Sequence, residues 1–392
     1  MSIIDVYKVT LLAAGLTIWV ISLWKYLSAR KSPYPVPELL KDIGPVDSDF
    51  SWENEKPRPY RPFNRGPYHM TMGIKTLDHS EWLLLENTYK DITDKRKKIT
   101  QNELDHTVLT RPEAKESVFE TYDLCLNYMM RRYPQYFAVD EKDSSLIHNK
   151  IRNEKIHRDP SAYPDTETLI RTLAHTIEED FLILIFDDKT EQYYLKSGSF
   201  AFPSGFDPAQ KIDLSLKDIH GPVPLYKKTI EKAMDKFFRR LKIGEWVYRL
   251  NWGVQSHDEL YAPDLNHASE EEVLVPLNAD DVDFSDVFLR CEKQCLLRLP
   301  KTKALLFTIR TYVTPFTEIR EEEDCLDLCD AIDNLPDSLA QYKKSVEWGG
   351  AVKSYLRRES NGREKSVWAS ISDIRILSII CHYGCGRLIR FH

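Results

Sequence analysis

Five short runs in the middle of the chain are apolar or alternate apolar with polar residues. β-branched and aromatic residues dominate these runs, and turn residues such as Pro203-Ser204-Gly205 end them, which is the pattern of β-strands. The runs cover, in chain order, residues 181–186, 191–202, 245–254, 287–299 and 304–313. A polar, helical stretch separates the second run from the third. Two strands, a helical insert and three strands predict an antiparallel α+β sheet rather than a series of βαβ units.

This order of elements matches the PAS scaffold, in which helices hold a ligand against a five-stranded antiparallel sheet. We expect the core of such a fold at about 167–315. A helical region at about 78–135 precedes it, because Trp82, Leu85 and Tyr89 are spaced for one helix face. The predicted fold class is therefore α+β, with a PAS-like five-stranded sheet and helices behind an N-terminal helical region.

An uncharged apolar stretch near the start of the chain predicts one transmembrane helix. Val9 to Trp24 contains sixteen uncharged residues, which is about 24 Å of helix at 1.5 Å per residue. Lys25 can extend its charged end to the membrane surface, so the span becomes residues 9–27, after a short tail at 1–8. A cleaved signal peptide is the alternative, but the nearly neutral start of the chain lacks the basic region of such peptides.

The charges that flank this span predict its orientation. Lys25, Arg30 and Lys31 follow the span, whereas Asp5 and Lys8 precede it. Cytosolic flanks carry an excess of positive charge, so the body of the protein should face the cytosol. Because a short span suits the thin bilayer of the endoplasmic reticulum, we expect a single-pass membrane protein of that compartment.

The rest of the chain divides into a tether, a body and a tail. Proline-rich sequence at 28–66 predicts an extended tether or wrapping arm. One domain should follow at 67–347. No pattern connects the last residues, 348–392, to that domain, so they are interpreted as a tail.

Charge and cysteine spacing narrow the classes of function. A formal net charge of −7 argues against a general nucleic-acid binder, which needs a basic face to neutralise phosphates. The sequence has no glycine-rich phosphate loop, no hydrolase elbow and no His-Glu-x-x-His helix. Cysteine pairs with a spacing of four favour buried reduced thiols over a metal site. The pairs are Cys291/Cys295, Cys325/Cys329 and Cys381/Cys385.

His220 is the most suggestive of the histidines. Gly221 and Pro222 follow it directly and should end the local helix, which leaves the imidazole at a helix terminus facing the sheet. Neutral imidazole is a common ligand of haem iron. A histidine that only satisfies a buried hydrogen bond is the alternative, and residue type alone favours it.

Charged residues also interrupt the predicted strands. Arg290 and Glu292 alternate along one strand, and Arg310 lies among apolar neighbours in the next. An unpaired guanidinium in such a place is costly, so Arg310 should have an anionic partner, either a carboxylate such as Glu292 or a cofactor propionate. Structural pairing remains an equal alternative. Asn251 and Trp252 add an amide and a large aromatic side chain suited to lining a pocket.

Six motifs in the order in which they occur over about residues 60–345 resemble the haem-dependent oxidative N-demethylase alpha-subunit-like family, in its membrane-anchored fungal branch. They are Pro67 to Gly73, Phe202-Pro203-Ser204, Ile219 to Pro224, Arg249 to Trp252, Arg290 to Pro300 and Phe307 to Pro315. The resemblance implies a haem-binding PAS-like domain. It also implies an activity in which haem iron and dioxygen remove a methyl group from a small amine and release formaldehyde.

The resemblance implies roles for the candidate residues. His220 matches the position of the proximal iron ligand, and Arg290, Asn251 and Trp252 would help to bind the haem. Glu292 and Arg310 would be the catalytic residues, with Glu292 as the carboxylate that attracts a cationic amine.

The sequence also departs from the family pattern, and these departures leave the substrate and the activity open. Phe206 stands where the family often has Trp, while Lys293 and Cys295 replace the usual Arg and Thr. Lys in place of Arg loses a bidentate fork of donors.

The expected function is that of a membrane-anchored haem-dependent monooxygenase acting on a small amine with dioxygen. Its electrons would come from a separate reductase, since the chain has no flavin or nicotinamide fingerprint. A PAS-like haem or small-ligand sensor, or a scaffold without turnover, is the alternative.

Overall fold

The structure is a computed structural model and describes residues 37–357. Within them, ten strands form two antiparallel sheets, one of seven strands and one of three. The strands are β1 Lys75–Thr76, β2 Val108–Thr110, β3 Phe137–Val139, β4 Leu146–Asn149, β5 Glu154–His157, β6 Asp180–Asp187, β7 Gln192–Ser199, β8 Val247–Gln255, β9 Phe288–Arg298 and β10 Leu305–Pro315.

The α-helices lie before, between and after the strands of the large sheet. They are α1 Tyr89–Asn102, α2 Leu104–Thr107, α3 Lys115–Arg132, α4 Thr166–Ala174, α5 Leu216–His220, α6 Tyr226–Thr229, α7 Glu231–Arg240, α8 Phe316–Ile319, α9 Cys325–Asp333 and α10 Asp337–Tyr342. A further helix covers residues 345–357.

The five strands predicted from the sequence are the five central strands of the large sheet. The strand order is β1-β8-β9-β10-β6-β7-β2, and β9 and β10 pair over their full length of eleven residues. The expected PAS-like five-stranded sheet is nevertheless wrong, because β1 and β2 extend it to seven strands and β3 to β5 form a second sheet. Strands of two to four residues are too short to show an alternating pattern, which is why the sequence did not predict them.

The expected transmembrane helix also requires correction. None of the helices that the structure describes, between residues 37 and 357, is long and apolar enough to cross a membrane. The predicted span at 9–27 lies outside the described residues. The described residues therefore give no support to a single-pass location in the endoplasmic reticulum membrane.

The two faces of the large sheet cover different cores. One face, which we call the large-core face, carries Phe181, Leu297 and Leu306 and packs in the main core with residues of α1, α3 and α4. The opposite face, the small-core face, carries Leu296 and Leu305 and packs against residues of α5 and α7. Successive side chains of a strand point to opposite faces, so each charged residue of β9 or β10 belongs to one of these two environments.

The described part of the proline-rich segment runs along the body of the protein. Leu40 is fully buried, and the backbone N–H of Val46 donates to the carbonyl of Arg132 at 2.8 Å. Further along, Arg61 donates to both carboxylate oxygens of Glu322, at 2.7 and 2.6 Å. Residues 37–66 are thus a wrapping arm that binds the body at several points.

Candidate functional site

Pairing between β8 and β9 brings a polar cluster together on the small-core face. Cross-strand partners in an antiparallel sheet point to the same side, so every second pair along the two strands faces the same way. The pairs are Arg249 with Gln294, Asn251 with Glu292, and Gly253 with Arg290. Three of the predicted site residues, Asn251, Arg290 and Glu292, are therefore neighbours.

Glu292 is at the centre of this cluster and is held in its charged form. Its Oε1 accepts from Arg290 Nε at 3.2 Å, and its Oε2 accepts from Asn251 Nδ2 at 3.3 Å and from Gln294 Nε2 at 2.9 Å. Burial acts to raise the pKa of Glu292, but the charge of Arg290 and these hydrogen bonds outweigh it, and the net pKa is lowered. A buried carboxylate that stays ionised can attract a cation.

Arg290 connects Glu292 to two neighbouring loops. Only 4% of the residue is exposed. Its Nη2 donates to the carbonyl of Phe202 at 2.7 Å and its Nη1 to the carbonyl of Leu260 at 3.4 Å. The guanidinium therefore donates its hydrogen bonds to other groups of the protein. These bonds fix the position of Glu292 and of the loop that starts at Phe202.

A cleft opens over this cluster. It encloses about 30 Å³, which is room for about one water molecule. Small-molecule pockets are larger, at about 300–1,000 Å³, so a substrate can enter only if the cleft widens. The predicted residues that line the cleft are Asn251, Trp252, Arg290 and Glu292.

Two further residues of the cleft were not predicted from the sequence. Lys343 Nζ donates to the carbonyl of Trp252 at 2.6 Å and lies 5.4 Å from the centroid of the Trp252 ring. Burial lowers the pKa of Lys343 to about 8, although Glu292 acts to raise it. His267 stacks on Tyr342 with ring centroids 4.2 Å apart, and burial together with Lys343 lowers its pKa to about 4. At neutral pH His267 is therefore an uncharged imidazole.

Gly205 makes room for His267. Its φ is +71°, and an added Cβ would lie 2.1 Å from Nδ1 of His267. Only glycine tolerates both the left-handed backbone and this approach. Gly205, which the sequence indicated only as a turn residue at the end of a strand, thus also shapes the cleft.

His220 ends α5 and has the geometry of a free ligand. Its Nδ1 lies 2.8 Å from the carbonyl oxygen of Leu216, and its ring stacks on Tyr226 with centroids 5.2 Å apart. Burial lowers the pKa of His220, and Arg249 lowers it further. Within residues 37–357 its Nε2 has no hydrogen-bond partner. Histidines that bind metals usually donate their other ring N–H to a carbonyl or carboxylate in this way.

Arg249 interacts electrostatically with both His220 and Glu292. It interacts with Glu292 and Tyr68, which raise its pKa, while burial lowers it more strongly. Its charge also acts on His220. Among the described residues its Nε is buried without a hydrogen-bond partner. A buried guanidinium with a spare donor is suited to an anionic group of a ligand.

Arg310 belongs to a different environment. It pairs in register with Lys293, the neighbour of Glu292, so its side chain points to the large-core face. There it contacts three buried carboxylates, at distances of 2.6, 2.8 and 3.1 Å. They are Glu86, Glu178 and Glu179. The anionic partner that we expected for Arg310 is thus present, but it is not Glu292.

Two of the three departures from the family pattern also lie on the large-core face. Lys293 donates to the carbonyl of Glu81 and lies 5.7 Å from the centroid of the Tyr60 ring, and Cys295 is buried in the main core. Phe206 packs on Phe200 with centroids 6.4 Å apart, beside the small core. Lys293 and Cys295 therefore do not line the cleft around Glu292.

The cysteine pairs that the structure describes are buried and form no disulfide bond. Cys291 and Cys295 lie on β9, and Cys325 and Cys329 lie on α9. The pair Cys381/Cys385 lies outside the described residues. In the described part of the chain, no group of three or more His, Cys, Asp or Glu could hold a bare metal ion. A haem iron needs fewer protein ligands, since the macrocycle supplies the others and one axial histidine holds it.

Residues 73–353, more than two thirds of the chain, match the family described as haem-dependent oxidative N-demethylase, alpha subunit-like. The match includes β1 and β8 to β10, α5 with His220, and the cluster around Glu292. It confirms the resemblance that the motifs indicated, and its description supports haem as the cofactor and oxidative chemistry as the class of reaction.

Proposed function

Because the chain belongs to the haem-dependent oxidative N-demethylase alpha-subunit-like family, we propose that it is a haem-dependent monooxygenase that removes a methyl group from a small amine. The observation that carries the proposal is the unpartnered Nε of Arg249, a buried cation that acts on both His220 and Glu292. Arg249 and Glu292 lie on one face of the sheet and His220 ends α5; these groups would bind a propionate, a cationic amine and an iron, respectively.

The residues fit the chemistry of haem. His220 would bind the haem iron through Nε2, because its Nδ1 is engaged with the carbonyl of Leu216. Arg249 would bind a propionate, with Tyr68 beside it. When bound, haem supplies the redox chemistry with dioxygen.

Glu292 would hold the substrate. A protonated amine carries one positive charge, and the ionised carboxylate of Glu292 offsets it inside the cleft. Asn251 and Arg290 keep the carboxylate in place. Trp252 pairs with Cys291, so its ring points to the opposite face of the sheet and only the edge of this residue borders the cleft. Lys343, which also lines the cleft, has a pKa of about 8 and can lose its proton at modest cost when a cationic amine enters.

The reaction balances with an external electron donor. One oxygen atom of dioxygen leaves in formaldehyde and the other in water, and the product is the amine without that methyl group. Two electrons and two protons are consumed. The sequence has no flavin or nicotinamide fingerprint, so the proposal includes a separate reductase protein.

The first experiment tests the haem ligand. The full chain is produced with haem available, and the visible spectrum is recorded for wild type, His220→Ala and His175→Ala. His175 is a matched control, since it is a half-buried histidine of low pKa whose Nε2 contacts Thr100 at 2.8 Å. We expect a Soret band in wild type and His175→Ala and a shifted or lost band in His220→Ala. An unchanged band in His220→Ala would overturn the assignment of the ligand.

The second experiment tests turnover. Haem-loaded protein is mixed with a reductase system, dioxygen and a series of small N-methylated amines, and formaldehyde is measured. Formaldehyde in step with oxygen consumption is the expected result. Stoichiometric haem without any formaldehyde would point instead to a ligand sensor.

A further inference from the structure

The segment 270–286 forms an exposed surface that is both apolar and acidic. Val273 and Val275 are 87% and 70% exposed, and Leu277 is 40% exposed. These residues alternate, so in an extended chain their side chains point to the same side. The segment has seven Asp or Glu and no Lys or Arg. We call it the acidic strip.

An apolar groove of about 140 Å³ lies between the acidic strip and the helix at 345–357. The strip lines it with Leu277, Val282 and Phe284, and the helix lines it with Trp348 and Ala351. The backbone N–H of Leu277 donates to the carbonyl of Glu347 at 2.9 Å, which attaches the strip to the helix. An exposed apolar surface with a polar rim marks a site where a protein segment, a membrane or a ligand binds.

We propose that the acidic strip and its groove bind the C-terminal segment of this chain, residues 366–381. That segment is rich in large apolar residues, which the groove can cover. The proposal is independent of the proposed enzymatic function.

Charge complementarity supports this choice of occupant. Residues 366–381 carry one Arg and one Asp, and the flanking residues 358–365 and 382–392 carry five Lys or Arg and two Glu, so the excess of positive charge lies in the flanks. An apolar segment between basic flanks matches an apolar surface with acidic neighbours, whereas a second copy of the strip would be repelled by like charge.

The short chain between the groove and residues 366–381 also supports this choice of occupant. The helix at 345–357 provides Trp348 and Ala351 to the groove, and residue 358 follows that helix directly. Residue 366 comes nine residues after Arg357, a distance of at most about 30 Å for an extended chain. Tethering at so short a distance gives a high effective concentration, so even weak contacts suffice for binding.

Hydrogen exchange on the full chain tests the proposal. Three variants are compared with wild type: Val273→Asp/Val275→Asp in the strip, Ile376→Asp/Ile379→Asp in the segment, and Val139→Asp as a control. Val139 is 41% exposed on β3 of the small sheet. The read-out is the exchange rate of peptides covering 270–278 and 366–381, with β9 and β10 as a check that the fold is intact.

We expect exchange in both peptides of wild type to be slowed by about tenfold or more relative to either double variant. The control Val139→Asp should behave as wild type. Equal rates in wild type and the Ile376→Asp/Ile379→Asp variant would overturn the proposal. Protection that disappears on dilution, together with a doubled mass in light scattering, would also overturn it in favour of a second copy.

Discussion

Arg310 and Glu292 lie on opposite faces of one sheet, although both were expected at the same site. Arg310 is opposite Lys293 in the β9–β10 pairing, and the strand alternation then points Glu292 the other way. Arg310 neutralises carboxylates under the main core, whereas Glu292 faces the cleft. Substitution of Arg310 should therefore reduce stability, whereas substitution of Glu292 should reduce activity. We propose for Arg310 a structural role in place of the catalytic one.

Replacing Arg310 should destabilise the protein. Arg310→Met leaves Glu86, Glu178 and Glu179 buried without their shared cation, and breaking such an arrangement costs roughly 3–5 kcal/mol. Urea unfolding followed by circular dichroism measures the loss. Arg65→Met is the control, because Arg65 pairs with Asp327 at an exposed site, and its midpoint should not move. A stable Arg310→Met protein that loses only turnover would contradict this role.

The carboxylates around Arg310 should also make stability depend on pH. Burial raises the pKa of Glu178 from 4.5 to about 7. A raised pKa means that the folded state binds the proton more tightly, so this contribution to stability is present at low pH and is lost as pH rises towards and through 7. Glu178→Gln should remove this contribution. The change in the free energy of unfolding between about pH 5 and 7.5 should then be smaller than in wild type by roughly 1–3 kcal/mol.

The measurement is the free energy of unfolding at several pH values. Glu141→Gln, an exposed carboxylate, should retain the wild-type slope. If wild type and Glu178→Gln have parallel pH profiles, Glu178 does not take up a proton on folding.

Changing Arg249 should affect haem more than stability. Its buried Nε has no partner among the described residues, so Arg249→Gln should leave the unfolding midpoint of the haem-free protein nearly unchanged. Haem affinity should fall by about tenfold to a hundredfold, since a hydrogen bond to a charged group contributes roughly 1.5–3 kcal/mol. Arg249→Lys should restore part of it. Haem titration gives the affinities, and equal values for wild type and Arg249→Gln would rule out the propionate contact.

Neutralising Glu292 should weaken the use of cationic amines. In Glu292→Gln the carboxamide keeps the shape but not the charge, so kcat/KM for a protonated amine should fall by at least about tenfold. The Soret band should stay unchanged, because the change is designed to leave the haem ligand alone. A neutral N-methyl amide serves as the control substrate. An equal loss for both substrates would show that Glu292 acts through the fold rather than through its charge.

Gly205→Ala should disturb the cleft. The new methyl group would collide with His267, and the backbone at φ +71° would be strained, at a cost of roughly 1–3 kcal/mol. Gly44→Ala is the matched control, because nothing lies within 4 Å of a Cβ added there. Thermal unfolding compares the two. The same midpoint for both variants would show that His267 moves aside freely.

The five central strands could be predicted because each is long enough to show alternation or an apolar run. The neighbours Asn251 and Glu292 could be named as candidates, since their polar character stands out within apolar strands. Their pairing could not be known, because it depends on how β8 and β9 align. The face of Arg310 depended in the same way on the alignment of β10 with β9.

His267 and Lys343 were missed for a different reason. Both lie outside the strands and reach the cleft only through the packing of α10 and the loop before the acidic strip against β8. No local pattern announces such a residue, because its chemistry comes from neighbours that are distant in the sequence. Gly205 was the only local sign, and its meaning depends on knowing that His267 packs against it.

The alternation of side chains along β9 limits the insertions and deletions that this strand can accept. Arg290, Glu292 and Gln294 point to one face of the sheet, while Cys291 and Lys293 point to the other. An insertion or deletion of a single residue within β9 would exchange these two sets, burying cations and a carboxylate where thiols belong. Length changes should therefore be absent from β9 in natural relatives and should occur instead in the loops that connect the strands.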